Sequence, residues 1–164
     1  MLITRFQVSN DDVSGLEAAK SIRLVAPRVS QTYHLSLTGM SKAMTTIREC
    51  QDDLVKSWGY DPVSLRSLTR TASPIGAPQS WFVDSDYPSS ASMLGISGVS
   101  RLRFTVTAAG KVENCKIITG SGSQLLDDRG CEVLTRRARY EPALDAAGQA
   151  VRSLKSVTIN WRAW

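Results

Sequence analysis

Val99-Ser100-Arg101-Leu102-Arg103-Phe104-Thr105-Val106-Thr107, then Ala108-Ala109-Gly110-Lys111, then Val112-Glu113-Asn114-Cys115-Lys116-Ile117-Ile118, is the stretch that decides the fold. Leu102, Phe104 and Val106 alternate with Arg101, Arg103 and Thr105, the two-residue period of a strand buried on one face. Val99 lies at the turn into it. Gly110 tolerates the positive φ that a tight connection requires, so the spacing predicts a β-hairpin. In the return strand, Val112, Asn114, Lys116 and Ile118 alternate with Glu113, Cys115 and Ile117. Both sets mix apolar with polar residues, and neither marks the core face.

Downstream, Gly120-Ser121-Gly122-Ser123 reads as a flexible crossing into a helix from about Gln124 to Ala138. Leu126, Val133, Leu134 and Ala138 form its buried stripe. Asp127 and Asp128 fall in its first turn and Arg136-Arg137-Ala138-Arg139 at its end, where charges of those signs complement the helix dipole by ~0.3–1 kcal/mol each. Tyr140-Glu141-Pro142-Ala143 breaks the helix, and Asp145 to Gly148 turns the chain. Ala150 to Trp161 is the last strand, with Leu154, Val157, Ile159 and Trp161 on its apolar side. Upstream of the hairpin, Asp86-Tyr87-Pro88 precedes a short helix through Ala91 and Leu94 that Gly95 ends.

The N-terminal part is a second, smaller α/β region. Residues 2–8 read as a strand, and Asn10-Asp11-Asp12 offers cap chemistry to a helix through Val13, Leu16 and Ala19. Ile22, Leu24 and Val25 suit another strand, which Pro27 interrupts. In Gln31 to Leu37, Tyr33, Leu35 and Leu37 alternate with His34 and Ser36, so His34 belongs to a polar face. After Gly39, with Ser41 as cap, Ala43, Met44, Ile47, Cys50, Gln51, Leu54, Val55 and Trp58 recur at helical spacing. Asp52 and Asp53 fall on its solvated face. Cys50 lies on the apolar stripe and is expected to be a small core residue. Gly59 ends this helix and Pro62 prevents its return. From Leu65 to Gln79 the composition shifts to Pro, Gly and small polar residues without period, the signature of a linker. The expected organisation is an accessory region over 1–62, a linker over 63–83 and a domain over 84–164.

Composition removes several function classes. The 164 residues are 42% hydrophobic and 21% charged, ordinary for a globular protein. Twenty Lys and Arg against 15 Asp and Glu give a net charge of +5, but the two signs are interspersed, so no nucleic-acid patch is expected. No stretch approaches the ~18–20 apolar residues of a membrane span. Met1 to Val8 is too short and too quickly polar for an export signal. Three cysteines, Cys50, Cys115 and Cys131, show no C-x-x-C pair, and the one histidine is far from them, so no metal site and no cofactor are expected. No glycine-flanked serine stands beside a base, and the Gly120 to Ser123 loop lacks the lysine of a phosphate-binding loop. These residues argue against an enzyme.

A collinear set of residues is similar to a known family. Tyr87-Pro88-x-x-Ala91, Gly95-x-x-Gly98, Phe104-x-Val106 and Gly110-x-Val112 resemble the front half of the TonB C-terminal domain. Ser121-Gly122-Ser123 with Leu126-Asp127, then Arg137-Ala138-Arg139-Tyr140-x-Pro142-Ala143, Asp145, Gly148, Val151 and Trp161, resemble its remainder. The resemblance covers about half the chain. It implies an α+β fold: an α-β-β-α-β module around a three-stranded antiparallel sheet, preceded by the small α/β N-terminal region. It further implies a periplasmic binding module whose last strand is an open edge. There an extended segment of an outer-membrane transporter, the TonB box, would add as a further strand. Ser156, Val157, Thr158, Ile159, Asn160 and Trp161 are then the expected partner-binding residues, with Asp86 and Tyr87 nearby. A free edge also admits a homodimer paired strand to strand. The alternative is a cell-envelope scaffold with no role in transport. Members that transduce energy carry an N-terminal membrane helix and a proline-rich spacer, and neither pattern is seen here.

In the topology implied by the resemblance, Cys115 lies on the hairpin's second strand and Cys131 midway along the helix that packs on it. A disulfide, which needs Cα atoms ~4.4–6.8 Å apart, is expected between them if the compartment is oxidising. Two buried thiols are the alternative.

Overall fold

Residues 20–26 and 31–163 are described in the computed structural model. The strand expected over 2–8 and the helix through Val13 to Ala19 lie outside them. The chain divides into two units, Met1–Asp61 and Pro62–Trp164.

In the first unit, β1 (Ser21–Ala26) pairs antiparallel with β2 (Gln31–Ser36), and α1 (Met40–Ser57) follows. Gly39, at φ 82°, occupies the cap position, and Ser41 lies inside the helix instead of capping it. His34 is exposed, but Leu35, on the face the alternation makes apolar, is 48% exposed as well. The apolar stripe of α1 is a different matter. No residue of the helix is buried, Ile47 and Leu54 are each 48% exposed, and Cys50 is an exposed free thiol. Cys50 is therefore not the core residue its position on the stripe suggests. Helical period identifies which side chains share a face, but not whether another element covers it.

The second unit begins with α2 (Pro62–Arg66), where Pro62 opens a helical turn instead of only preventing one. A proline is tolerated there because the first amides of a helix have no internal acceptor. β3 (Ser73–Pro74) comes next, then α3 (Ser89–Met93), β4 (Gly98–Val106), β5 (Val112–Thr119) and α4 (Gln124–Arg137). β6 (Tyr140–Glu141), β7 (Ala143–Leu144), β8 (Ala150–Val151) and β9 (Ser153–Trp161) complete it. The fold is mixed α and β, with an antiparallel three-stranded sheet in the order β5-β4-β9. Leu102, Phe104 and Val106 of β4 are fully buried against Leu134 and Ala138, as their alternation predicts. Each such side chain contributes about 1.5–3 kcal/mol on leaving water.

Two features of β5 account for its mixed pattern. Asn114 has φ 51°, and the register against β4 slips by one residue between Arg103↔Lys116 and Thr105↔Glu113. The extra residue of this bulge reverses the side-chain phase, so that both Val112 and Cys115 reach the core. Cys115 is bonded to Cys131 of α4 with Cα atoms 5.6 Å apart. Closing a loop of this length contributes about 3 kcal/mol, by restricting the unfolded chain in the entropic account.

The segment 63–83, expected as a linker, is tied to the second unit. Ser73 and Pro74 pair with Glu141 and Tyr140, the Thr69 amide donates to the Leu144 carbonyl at 2.9 Å, and the Ile75 amide donates to the Arg139 carbonyl at 2.8 Å. Ala72 and Trp81 are buried in the core, where Trp81 packs on Tyr140 at 5.4 Å between ring centroids. Gly98 and Gly110 permit close backbone approaches. A Cβ on Gly98 would lie 2.2 Å from the Ser121 carbonyl oxygen, and one on Gly110 would lie 2.0 Å from that of Tyr140.

Candidate functional site

β9 is the structural centre of the candidate site. It pairs with β4 in unbroken register from Gly98↔Trp161 to Val106↔Ser153. Among the described residues no strand pairs with its other side. In an antiparallel pair, alternate residues direct their backbone N–H and C=O away from the partner, so β9 presents a row of such groups to solvent. Directly opposed residues share a face. Val157 and Ile159 therefore sit on the core face with Leu102 and Ser100, while Ser156, Thr158 and Asn160 lie exposed on the other. Leu154 pairs with Thr105 and belongs to that outer face, not to the apolar side where the sequence pattern puts it.

The C-terminal end of β9 meets the segment before α3. Phe82, Val83, Asp84, Asp86 and Tyr87 on one side, with Ile159, Asn160, Trp161 and Arg162 on the other, enclose an open groove of about 300 Å³. The structure thus brings Asp86 and Tyr87 together with Ile159, Asn160 and Trp161. Ser156, Val157 and Thr158 continue along the same strand, outside the groove.

Asp86 has a more definite role than the sequence suggests. Its carboxylate is buried, accepts the Val83 amide at 2.9 Å and the Arg129 Nη2 at 2.9 Å, and is also bonded by Arg137. Arg137 further donates to the Trp81 carbonyl at 2.9 Å, and Arg129 to that of Asp86 at 3.1 Å. Burial alone would raise the Asp86 carboxyl. The Val83 amide, the Arg137 hydrogen bond and the charges of Arg137 and Arg129 outweigh that and hold it below the usual carboxylate range. With its oxygens so occupied, Asp86 clamps the groove's outer wall to α4. The sequence suggests Arg137 only as a dipole-complementing cation, and nothing local singles out Arg129.

Trp161 is fixed from two directions. Phe82 and Tyr87 meet its ring edge to face, at centroid distances of 6.1 and 5.9 Å. Its indole N–H donates to Ser100 Oγ at 2.9 Å, and Ser100 Oγ donates to Asp127 Oδ1 at 2.5 Å. The Ser121 amide donates to the same Asp127 oxygen at 2.9 Å. This buried relay joins β9, β4, the crossing loop and α4. Asp127 does lie in the first helical turn, but its carboxylate serves the relay as well as the dipole. The Tyr87 hydroxyl donates to the Ile96 carbonyl, so its ring is held as a wall of the groove. Gly130 allows α4 to approach β9: a Cβ there would lie 3.0 Å from the tips of Ile159 and Leu102.

Among the described residues, no group of three or more His, Cys, Asp or Glu side chains is arranged to hold a metal. No helix among them is long and apolar enough to cross a membrane.

Comparison with known proteins gives the domain its relatives. The family model described as Gram-negative bacterial TonB protein C-terminal matches residues 84–163. Protein TonB from Pseudomonas putida is 44% identical over 50 residues, which are 30% of this chain and 21% of that protein. The chain thus spans about a fifth of the length of this curated relative. The solution NMR structure of the Pseudomonas aeruginosa TonB CTD aligns with 56% of this chain and 85% of its own, at 22% identity and a TM-score of 0.40. Through residues 84–163, the chain belongs to the TonB C-terminal family.

Proposed function

We propose that β9 receives an extended segment of an outer-membrane transporter as an added strand, in the periplasm, making this a binding module and not a catalyst. The observation that carries the reading is the one-sided pairing of β9. Nine consecutive residues are registered on β4, and their other side is open among the described residues. Main-chain hydrogen bonds would supply affinity, and the groove beside Ile159 to Trp161 would take a guest side chain. The Cys115–Cys131 bridge supports an oxidising compartment. Family membership supports the class of partner. Residues 84–163 are on this reading the binding domain, and Met1–Asp61 an accessory unit.

Titration of the isotope-labelled chain with a synthetic peptide copying a transporter's TonB box tests this. Amide shifts are expected to concentrate on Ser156 to Trp161 and on Phe82 to Tyr87. Shifts confined to β5 or to the first unit, or none at millimolar peptide, would refute it. Line broadening of the same β9 amides that depends on protein concentration alone would instead identify a second copy as the occupant of the edge.

A further inference from the structure

The outer face of the sheet carries a charge pattern that the backbone reading does not use. Arg101 and Arg103 project from the central strand on the face away from α4, and Lys116 lies beside Arg103 on β5. On β9 the residues opposed to the two arginines are Thr158 and Ser156, both short and exposed. The carboxylate on this face, Glu113, lies on the far strand opposite Thr105. Arg101, exposed and opposed to Thr158, is the cation of this face set to meet a guest beside β9.

A strand added to β9 would run two strand spacings, roughly 10 Å, from β4. That distance is within the combined reach of an arginine and a glutamate when only a serine or threonine stands between. We infer that Arg101 selects guest segments with acidic side chains at alternate positions. These are the positions that share a face with Ser156 and Thr158. The intervening positions beside Val157 and Ile159 would be apolar, and Lys155 continues that face toward the start of β9. The substrate class is thus an extended segment alternating apolar and acidic residues. The inference rests on the proposed strand addition and adds a specificity determinant to it.

Three seven-residue probes in which valine alternates with glutamate, glutamine or lysine separate the two ideas. They would be titrated into the full chain at low ionic strength. Exposed, partly screened pairs of this kind are each modest, so the glutamate peptide is expected to bind about three- to tenfold tighter than the glutamine peptide. The lysine peptide should bind weakest. In Arg101→Gln the glutamate preference should shrink, and in Arg101→Lys most of it should return. Raising the salt should erase it. Equal binding of all three peptides, with amide shifts still on Ser156 to Trp161, would overturn the selection and leave strand addition standing. Failure of every peptide to shift those amides would overturn both.

Discussion

Replacing Ser100 by alanine should unlock the end of β9 from the domain. The hydroxyl accepts the Trp161 indole proton at 2.9 Å and donates to Asp127 at 2.5 Å, in a site where Ser100 is fully buried and Trp161 is 6% exposed. Removing it leaves a buried indole N–H without an acceptor, at a cost of about 1–3 kcal/mol, and deletes a hydrogen bond to a charged group worth about 1.5–3 kcal/mol. The two effects share one atom and do not simply add, so a total loss of roughly 2–5 kcal/mol is expected. For a unit of about 100 residues, that lowers the melting temperature by at least ~10 °C. A graded pair of variants checks the cause. Asp127→Asn keeps an acceptor oxygen for Ser100 and the Ser121 amide and should lose less than Asp127→Ala, which keeps none. Calorimetry gives the stability, and hydrogen exchange of the Trp161 indole proton reports the local effect. A cost below ~0.5 kcal/mol for Ser100→Ala, with that exchange rate unchanged, would mean that the hydroxyl does not hold Trp161.

Three other outcomes follow from the same contacts. Cys115→Ala combined with Cys131→Ala should destabilise the second unit by about 3 kcal/mol, measured by urea unfolding against the oxidised parent; an unchanged midpoint would mean the bridge restricts nothing. Because the folded-state Asp86 carboxyl is held below its ordinary value, its contribution is complete above about pH 4 and fades as pH falls through the lowered value; Asp86→Asn should be less stable near neutrality and show a flatter acid limb in unfolding followed from pH 6 to 2. Trp81→Ala should cost about 3–5 kcal/mol by thermal denaturation, a loss that a side chain in a free linker would not produce.

What the sequence disclosed depended on the range of the interactions involved. Alternation in β4, the glycine at the hairpin turn and the apolar stripe of α4 are local patterns, and each became the expected element. The faces of β5 were unreadable because the bulge at Asn114 breaks the two-residue period on which such a reading depends. The stretch 63–83 misled for a different reason. Proline, glycine and small polar residues suit a linker, but they equally suit a strap whose backbone donors find carbonyls at Arg139 and Leu144. Of the candidate site, the family resemblance carried the identity of the edge strand and the bridge. The clamp on Asp86 joins residues 43 and 51 positions apart, and no local pattern announces such a pair. Cys50 shows the converse: the helical stripe is real, but the structure leaves it exposed.

The sheet has two edges, and their difference favours β9 over β5 for the proposed strand addition. β5 carries two register slips against β4, and bulges twist an edge out of the flat geometry that a further strand needs. β9 carries none over nine residues, so its outward amides and carbonyls keep the spacing of a regular strand. An unprotected edge of that length would invite indiscriminate pairing if it were also apolar on both faces. Ser156, Thr158 and Asn160 make one face polar, and the clamp and relay hold the other against α4 and the groove wall. On the proposed reading, a guest strand would have to match a polar face beside Arg101 and an apolar one at once. That double requirement would let an open edge be selective while its backbone supplied most of the affinity.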